Sequence, residues 1–134
     1  MIDFQNEIFT TVATAIRSEH DGVTVTGEYT RSPSKFPTVT LDEIENVTVD
    51  ELVDSSDEEQ YSGLSYRLQV FSNKTGGKKS EAREIFATAD NVMLGLGFRR
   101  ITYSVTPEIY DSTVYSIMAT YEAIVDANGV IYKR

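Results

Sequence analysis

Between residues 61 and 105 the order of apolar and polar positions changes period twice. Leu64, Tyr66, Leu68 and Val70 alternate with Ser65, Arg67 and Gln69, the two-residue period of a half-buried strand. Asn73-Lys74-Thr75-Gly76-Gly77 breaks the alternation with turn residues. Ala82, Ile85, Phe86, Ala89, Val92, Met93 and Leu96 then recur three and four apart, which predicts one apolar stripe along a helix. Ser80 is the predicted N-cap, Glu81 and Glu84 suit the positive end of the helix dipole, and Gly97 suits a C′ position. From 98 to 105 the alternation returns, with Ile101, Tyr103 and Val105 on one face. Strand, helix, strand is the unit around which the chain is organised.

The flanks read as its extension. Phe4, Ile8, Val12 and Ile16, widened by Phe9 and Ala13, predict an amphipathic helix over 3–19, capped by Asp3 and ended by Asp21-Gly22. Thr24-Val25-Thr26 and Thr38-Val39-Thr40 place short strands within 23–30 and 36–41. Pro37 has no N–H to give, so the second strand starts at a sheet edge or outside the ladder. Near the C-terminus Tyr115, Ile117, Ala119, Tyr121, Ala123 and Val125 share one strand face. Asn128-Gly129 then turns the chain back into Val130-Ile131-Tyr132, a hairpin whose first strand is the longer. Part of that strand must pair elsewhere or stand as an edge.

The order α-β-β-loop-β-α-β-β-β predicts an α+β fold. Its two helices pack on one face of a mostly antiparallel sheet, in a single domain over 1–134.

Charge changes the picture at one place. The formal net charge is −9, and the stretch 42–60 holds Asp42, Glu43, Glu45, Asp50, Glu51, Asp54, Asp57, Glu58 and Glu59 with no Lys or Arg. Such a concentration of like charge resists compaction and predicts a mobile acidic loop at about 42–60. A chain this acidic is poorly suited to gripping phosphates. The basic residues are set apart from it, in Lys74, Lys78, Lys79 and Arg83 and in Arg99-Arg100. Opposite patches on one chain suit head-to-tail contacts.

Candidate chemistry is thin. Cysteine is absent and His20 is the only histidine, so neither a thiolate centre nor a zinc cluster can be assembled, and a serine triad would have to rest on His20 at a helix end. Gly76-Gly77-Lys78-Lys79-Ser80 fails as a phosphate loop because Ser72 stands where the first glycine is needed and Lys79 where Ser or Thr is needed. The acidic stretch lacks the calcium-loop spacing. The two N-x-T matches, at Asn46 and Asn73, have no secretory signal to give them meaning. No apolar run spans a bilayer. These readings point away from an enzyme, a cofactor, a metal or a membrane, and toward binding or assembly.

Four segments in order then resemble one family. They are Phe36-Pro37-Thr38-Val39; Tyr66-Arg67-Leu68-Gln69-Val70-Phe71-Ser72-Asn73 leading into Lys78-Lys79-Ser80-Glu81-Ala82; Leu96-Gly97-Phe98-Arg99-Arg100; and Ala119-Thr120-Tyr121-Glu122-Ala123-Ile124-Val125-Asp126. Together they resemble the tail-terminator, or tail-completion (tail-to-head joining), proteins of long-tailed bacteriophages. The stretch 42–60 carries no part of the match, and Met118-Ala119-Thr120 lacks the arginine expected there. The resemblance implies a structural virion protein at the head-proximal end of the tail, made in the host cytoplasm. It implies a homo-oligomer, typically a hexameric ring, that stops growth of the tail tube. Its partners would be the tail tube protein and the head connector or stopper protein, with double-stranded DNA passing through an acidic lumen without specific binding. On that reading Asp50, Glu51, Asp54, Asp57, Glu58, Glu59, Lys78, Lys79, Arg83, Arg99 and Arg100 are the expected subunit or lumen contacts. The alternatives left open are a neck or head-completion protein on the connector side and a non-viral monomeric binding adaptor.

Overall fold

The computed structural model describes residues 1–49, 61–106 and 112–132. Their elements follow the predicted order: α1 Gln5–Glu19, β1 Thr24–Thr26, β2 Thr38–Thr48, β3 Tyr61–Ser72, α2 Lys78–Leu96, β4 Arg99–Thr106, β5 Tyr115–Asp126 and β6 Ile131–Tyr132. The strands form one sheet in the order β1-β2-β3-β5-β4, with β6 also on β5. Every pairing is antiparallel except β1 with β2. The fold is therefore α+β, with the helices packed on the sheet.

The apolar stripes find each other as predicted. Ile8, Val12, Ala13 and Ile16 of α1 and Ala82, Ile85, Phe86, Ala89 and Met93 of α2 are buried in one core with Leu64, Tyr66, Leu68 and Val70 of β3 and the alternate residues of β5 from Ile117 to Val125. Asp3 does not occupy the cap position of α1, which falls to Phe4; its Oδ1 instead accepts the Gln5 N–H at 3.1 Å. α2 starts two residues before Ser80, with Gly77 at the N-cap. Gly97 ends it in the left-handed region at φ +108°, where its N–H and that of Phe98 close back on Leu94 and Met93 carbonyls. His20 occupies the C-cap position of α1, and its Nε2 lies 2.8 Å from Thr88 Oγ1, tying the two helices. Pro37 lies outside the ladder, where its carbonyl accepts the Thr24 N–H at 3.0 Å. Asp126 organises the last turn: its Oδ1 accepts from the Asn128 and Val130 N–H groups, and Gly129 takes φ +86°.

Three expectations need correction. First, β3 is not half-buried. It lies between β2 and β5, and its far face is covered too: Ser65, Gln69 and Phe71 are buried, with Thr40 Oγ1 donating to Gln69 Oε1 at 2.8 Å. Second, residues 42–48 are not loop. β2 runs through them for a total of 11 residues, with Asp42 opposite Arg67 and Asn46 opposite Leu64. Counting charges within the stretch hid the compensation, because the Arg67 guanidinium that holds the Asp42 carboxylate at 2.6 Å comes from the next strand. The remainder of the expected loop, 50–60, lies outside the described residues. Third, Ile101, Tyr103 and Val105 do not form one regular face, because the ladder slips between Arg100 and Thr102 and the alternation breaks at Ile101. β4 is the last strand of the sheet and all eight of its residues are exposed.

Candidate assembly surface

β4 begins two residues after the helix-ending Gly97 and pairs with β5 alone among the described strands. No described strand lies along its outer edge. Tyr103 and Val105 face the helices but sit at the rim. Tyr103 lays its ring edge-on against Phe86, with centroids 5.1 Å apart. The ladder slips between Arg100 and Thr102, which leaves Ile101 without a cross-strand partner as the extra residue of a bulge. Ile101, Tyr103 and Val105 are 43%, 46% and 45% exposed, an apolar margin that a solitary protein normally guards.

Arg99 and Arg100 part company here. Arg99 is exposed. Arg100 is turned inward over the helix side, where Nη1 donates to Asp90 Oδ2 at 2.7 Å. Tyr121 Oη donates to the other oxygen of Asp90 at 2.6 Å. Asp90 belongs to α2 and is buried, so one carboxylate joins α2, β4 and β5. Asp90's hydrogen bond to Arg100 and its charge raise the Arg100 pKa, and burial first, then the separate Tyr121–Asp90 hydrogen bond, raise the Tyr121 pKa. Arg100 is a structural latch in the protomer rather than a free contact group.

The opposite margin of the sheet is also open. β1 has three residues and covers only 38–40 of β2. No described strand pairs with 41–48 on that side. This margin carries Asp42, Glu43 and Glu45 and no basic residue, and its ladder slips between Glu43 and Glu45, leaving Ile44 as a bulge residue. Ile44 and Val47 are 46% and 43% exposed. Glu43 faces the helix side, close to the Tyr66 hydroxyl. Burial raises its pKa, opposed by the neighbouring Tyr66 and Asn46 side chains. Glu43 Oε1, Asn46 Oδ1 and Tyr66 Oη are all sealed from solvent without a partner in full hydrogen-bond geometry, while Asn46 Nδ2 donates to the Ile2 carbonyl at 2.8 Å.

The other predicted contact residues do not join these margins. Lys78, Lys79 and Arg83 sit in the first turns of α2, whose 19 residues span about 28 Å, so the helix separates them from Arg99 and Arg100 at its far end. Lys78 Nζ donates to the Ser112 carbonyl at 2.7 Å, while Lys79 and Arg83 are exposed. Asp50, Glu51, Asp54, Asp57, Glu58 and Glu59 lie outside the described residues. Asp90, Ile44 and Glu45 were missed as residues of interest. Asp90 left a trace in the sequence, a carboxylate four residues after Phe86 in the apolar stripe. The residues of 41–48 left none, because apolar positions at 41, 44 and 47 fit neither a strand nor a helix period once a bulge intervenes.

No protein-family model matches the chain, and no curated protein matches it. Among the described residues no helix is long and apolar enough to cross a membrane.

Proposed function

We propose that the chain is a ring-forming structural protein of the phage tail-terminator type. In this reading it acts through its surfaces rather than through bond-making chemistry, closing the head-proximal end of a tail tube and presenting a face to the head connector. The observation that carries the assembly part of this reading is β4, an edge strand exposed along all eight residues with three large apolar side chains on it. An edge of this kind is a template for another chain. The phage assignment rests on the ordered segments that resemble the family and agrees with the α+β fold.

The charge balance suits a channel for DNA. The register puts Asp42, Glu45, Glu122 and Asp126 against Arg67 and Arg99 on the strand face turned away from the helices. A lumen lined by such a face repels phosphates weakly, so DNA slides instead of sticking.

Electron microscopy of particles assembled without this protein tests the reading. The expected result is overlong tails, or tails and heads left unjoined. Unchanged virions overturn it.

A further inference from the structure

The two open margins of the sheet fit one another, and we propose that they are the two halves of one interface: the β4 edge of one copy pairs antiparallel with residues 41–48 of β2 in the next. This rests on the ring-forming reading above and specifies how the ring is held.

Strand direction supports it. β2 and β5 run one way and β3 and β4 the other. When copies are related by rotation about an axis along the strands, β4 of one meets β2 of the next in opposite sense. The contact is then antiparallel, and the sheet continues without interruption. Because the two margins differ, the contact is head to tail, the kind that closes into a ring when the rotation allows.

Charge also favours unlike margins. Arg100 and Asp42 are already paired inside the protomer, so the charges left to meet are Arg99 on β4 and Glu45 on 41–48. Each margin carries a bulge with an exposed isoleucine, Ile101 on one and Ile44 on the other. Bulges and charges at an edge serve to keep strangers off, but both of these margins also leave large apolar side chains exposed, Tyr103 and Val105 on one and Val47 on the other.

Alignment follows from the ladder. Glu45, Ser65, Glu122 and Arg99 lie on one row across the sheet. A second copy docked on that row without offset would drive 104–106 of its β4 into the place held by β1, which occupies 38–40. An offset of two residues removes all but the last overlap and keeps every side chain on its own face. Arg99 of one copy then lies beside Val47 of the next, a diagonal step from Glu45, and the two bulge isoleucines come alongside each other. A strand offset repeated at each junction is what closure of a sheet into a barrel demands.

The chain has no cysteine, so introduced thiols report contacts cleanly. Arg99 and Val47 are both exposed, and paired antiparallel strands bring Cα atoms to about 4.5–5.5 Å, inside the range a disulfide bridges. Within one copy the two margins are roughly 14 Å apart, three strand spacings, so an internal bridge cannot form. Arg99→Cys and Val47→Cys proteins, mixed at high concentration and oxidised, are expected to give a mixed crosslink that neither gives alone, and the double variant a ladder ending at a closed ring. Hydrogen exchange of the unaltered chain is expected to show 99–106 and 41–48 gaining protection on assembly while the helices do not. Assembly by mass photometry without the mixed crosslink and without that protection overturns this interface and leaves the ring reading standing. Self-crosslinking of Arg99→Cys alone, with a dimer as the end state, overturns the head-to-tail arrangement. A chain that stays monomeric at every concentration, alone and with tail tubes, overturns both.

Discussion

Tyr66 and Tyr121 are cross-strand partners on the helix side of neighbouring strands, both buried, and the hydroxyl of each meets a carboxyl from another element. At Tyr121 the carboxyl is Asp90, which also holds Arg100, so hydroxyl, carboxylate and guanidinium form a chain that ends at the surface. At Tyr66 the carboxyl is Glu43, for which the described residues show no salt bridge; the Tyr66 Oη and Glu43 Oε1 are close enough to shift each other's proton affinity but are not in hydrogen-bond geometry. Burial raises the pKa of both phenols. The difference lies in the carboxyls. Asp90 has two donors, one of them charged, while Glu43 bears the cost of burial with little return. Two neighbouring tyrosines thus meet carboxyls in opposite states, one satisfied from two elements and one buried without a hydrogen-bond partner on Oε1.

Removing Asp90 should cost most. Asp90→Ala strands the Tyr121 hydroxyl in the core and releases the exposed Arg100 to solvent, and the expected loss is about 1–3 kcal/mol in urea unfolding. A loss under about 1 kcal/mol would erase the contrast between the two sites.

Glu43→Gln should act in the opposite direction and by less. Because the folded-state pKa of Glu43 lies above its ordinary value of 4.5, the folded chain disfavours the charged form. The cost of keeping it charged is present at neutral pH and is relieved as pH falls through the raised pKa toward 4.5. The variant should gain on the order of 0.5 kcal/mol near neutrality, a small amount because the residue as a whole still reaches solvent. Its advantage should close as the ordinary carboxylate range is reached. Melting curves of both proteins from neutral to acid pH check it, and an advantage that grows with acid would reverse the assignment.

Tyr66→Phe should change least, within about 0.5 kcal/mol, since the lost hydroxyl makes no full hydrogen bond. A loss above about 1.5 kcal/mol would mean that Tyr66 is as well partnered as Tyr121.

The elements with a clean period were legible from the sequence. The stripes of both helices, the alternation of β3 and β5, Gly97 and the Asn128-Gly129 turn all stand where local chemistry puts them. What escaped depended on neighbours. Alternation shows that β4 has two faces but neither that it has one neighbour nor that a bulge breaks it, so Ile101, Tyr103 and Val105 read as one face. Residues 42–48 read as loop because one bulge at Ile44 broke the period and because the partner of Asp42 stands far along the chain at Arg67. Arg99 stands exposed on the outermost strand. That Arg100 is spoken for by Asp90 was not legible, since the pair meets only when α2 folds over the sheet. The shared row of Arg99 and Glu45 is a property of register across four strands, which no local pattern records.

One consequence rests on a single missing carbon. At Gly97 a Cβ would come within 3.0 Å of the Ile131 side chain, so α2 and the last hairpin can close on each other only because nothing projects there. β4 sets out two residues later. Gly97 therefore works as the pivot of a gatepost: it fixes the angle at which the outermost strand leaves the body. A bulkier residue there would meet Ile131 and would have to hold a left-handed backbone, so the strain would fall where the outermost strand begins.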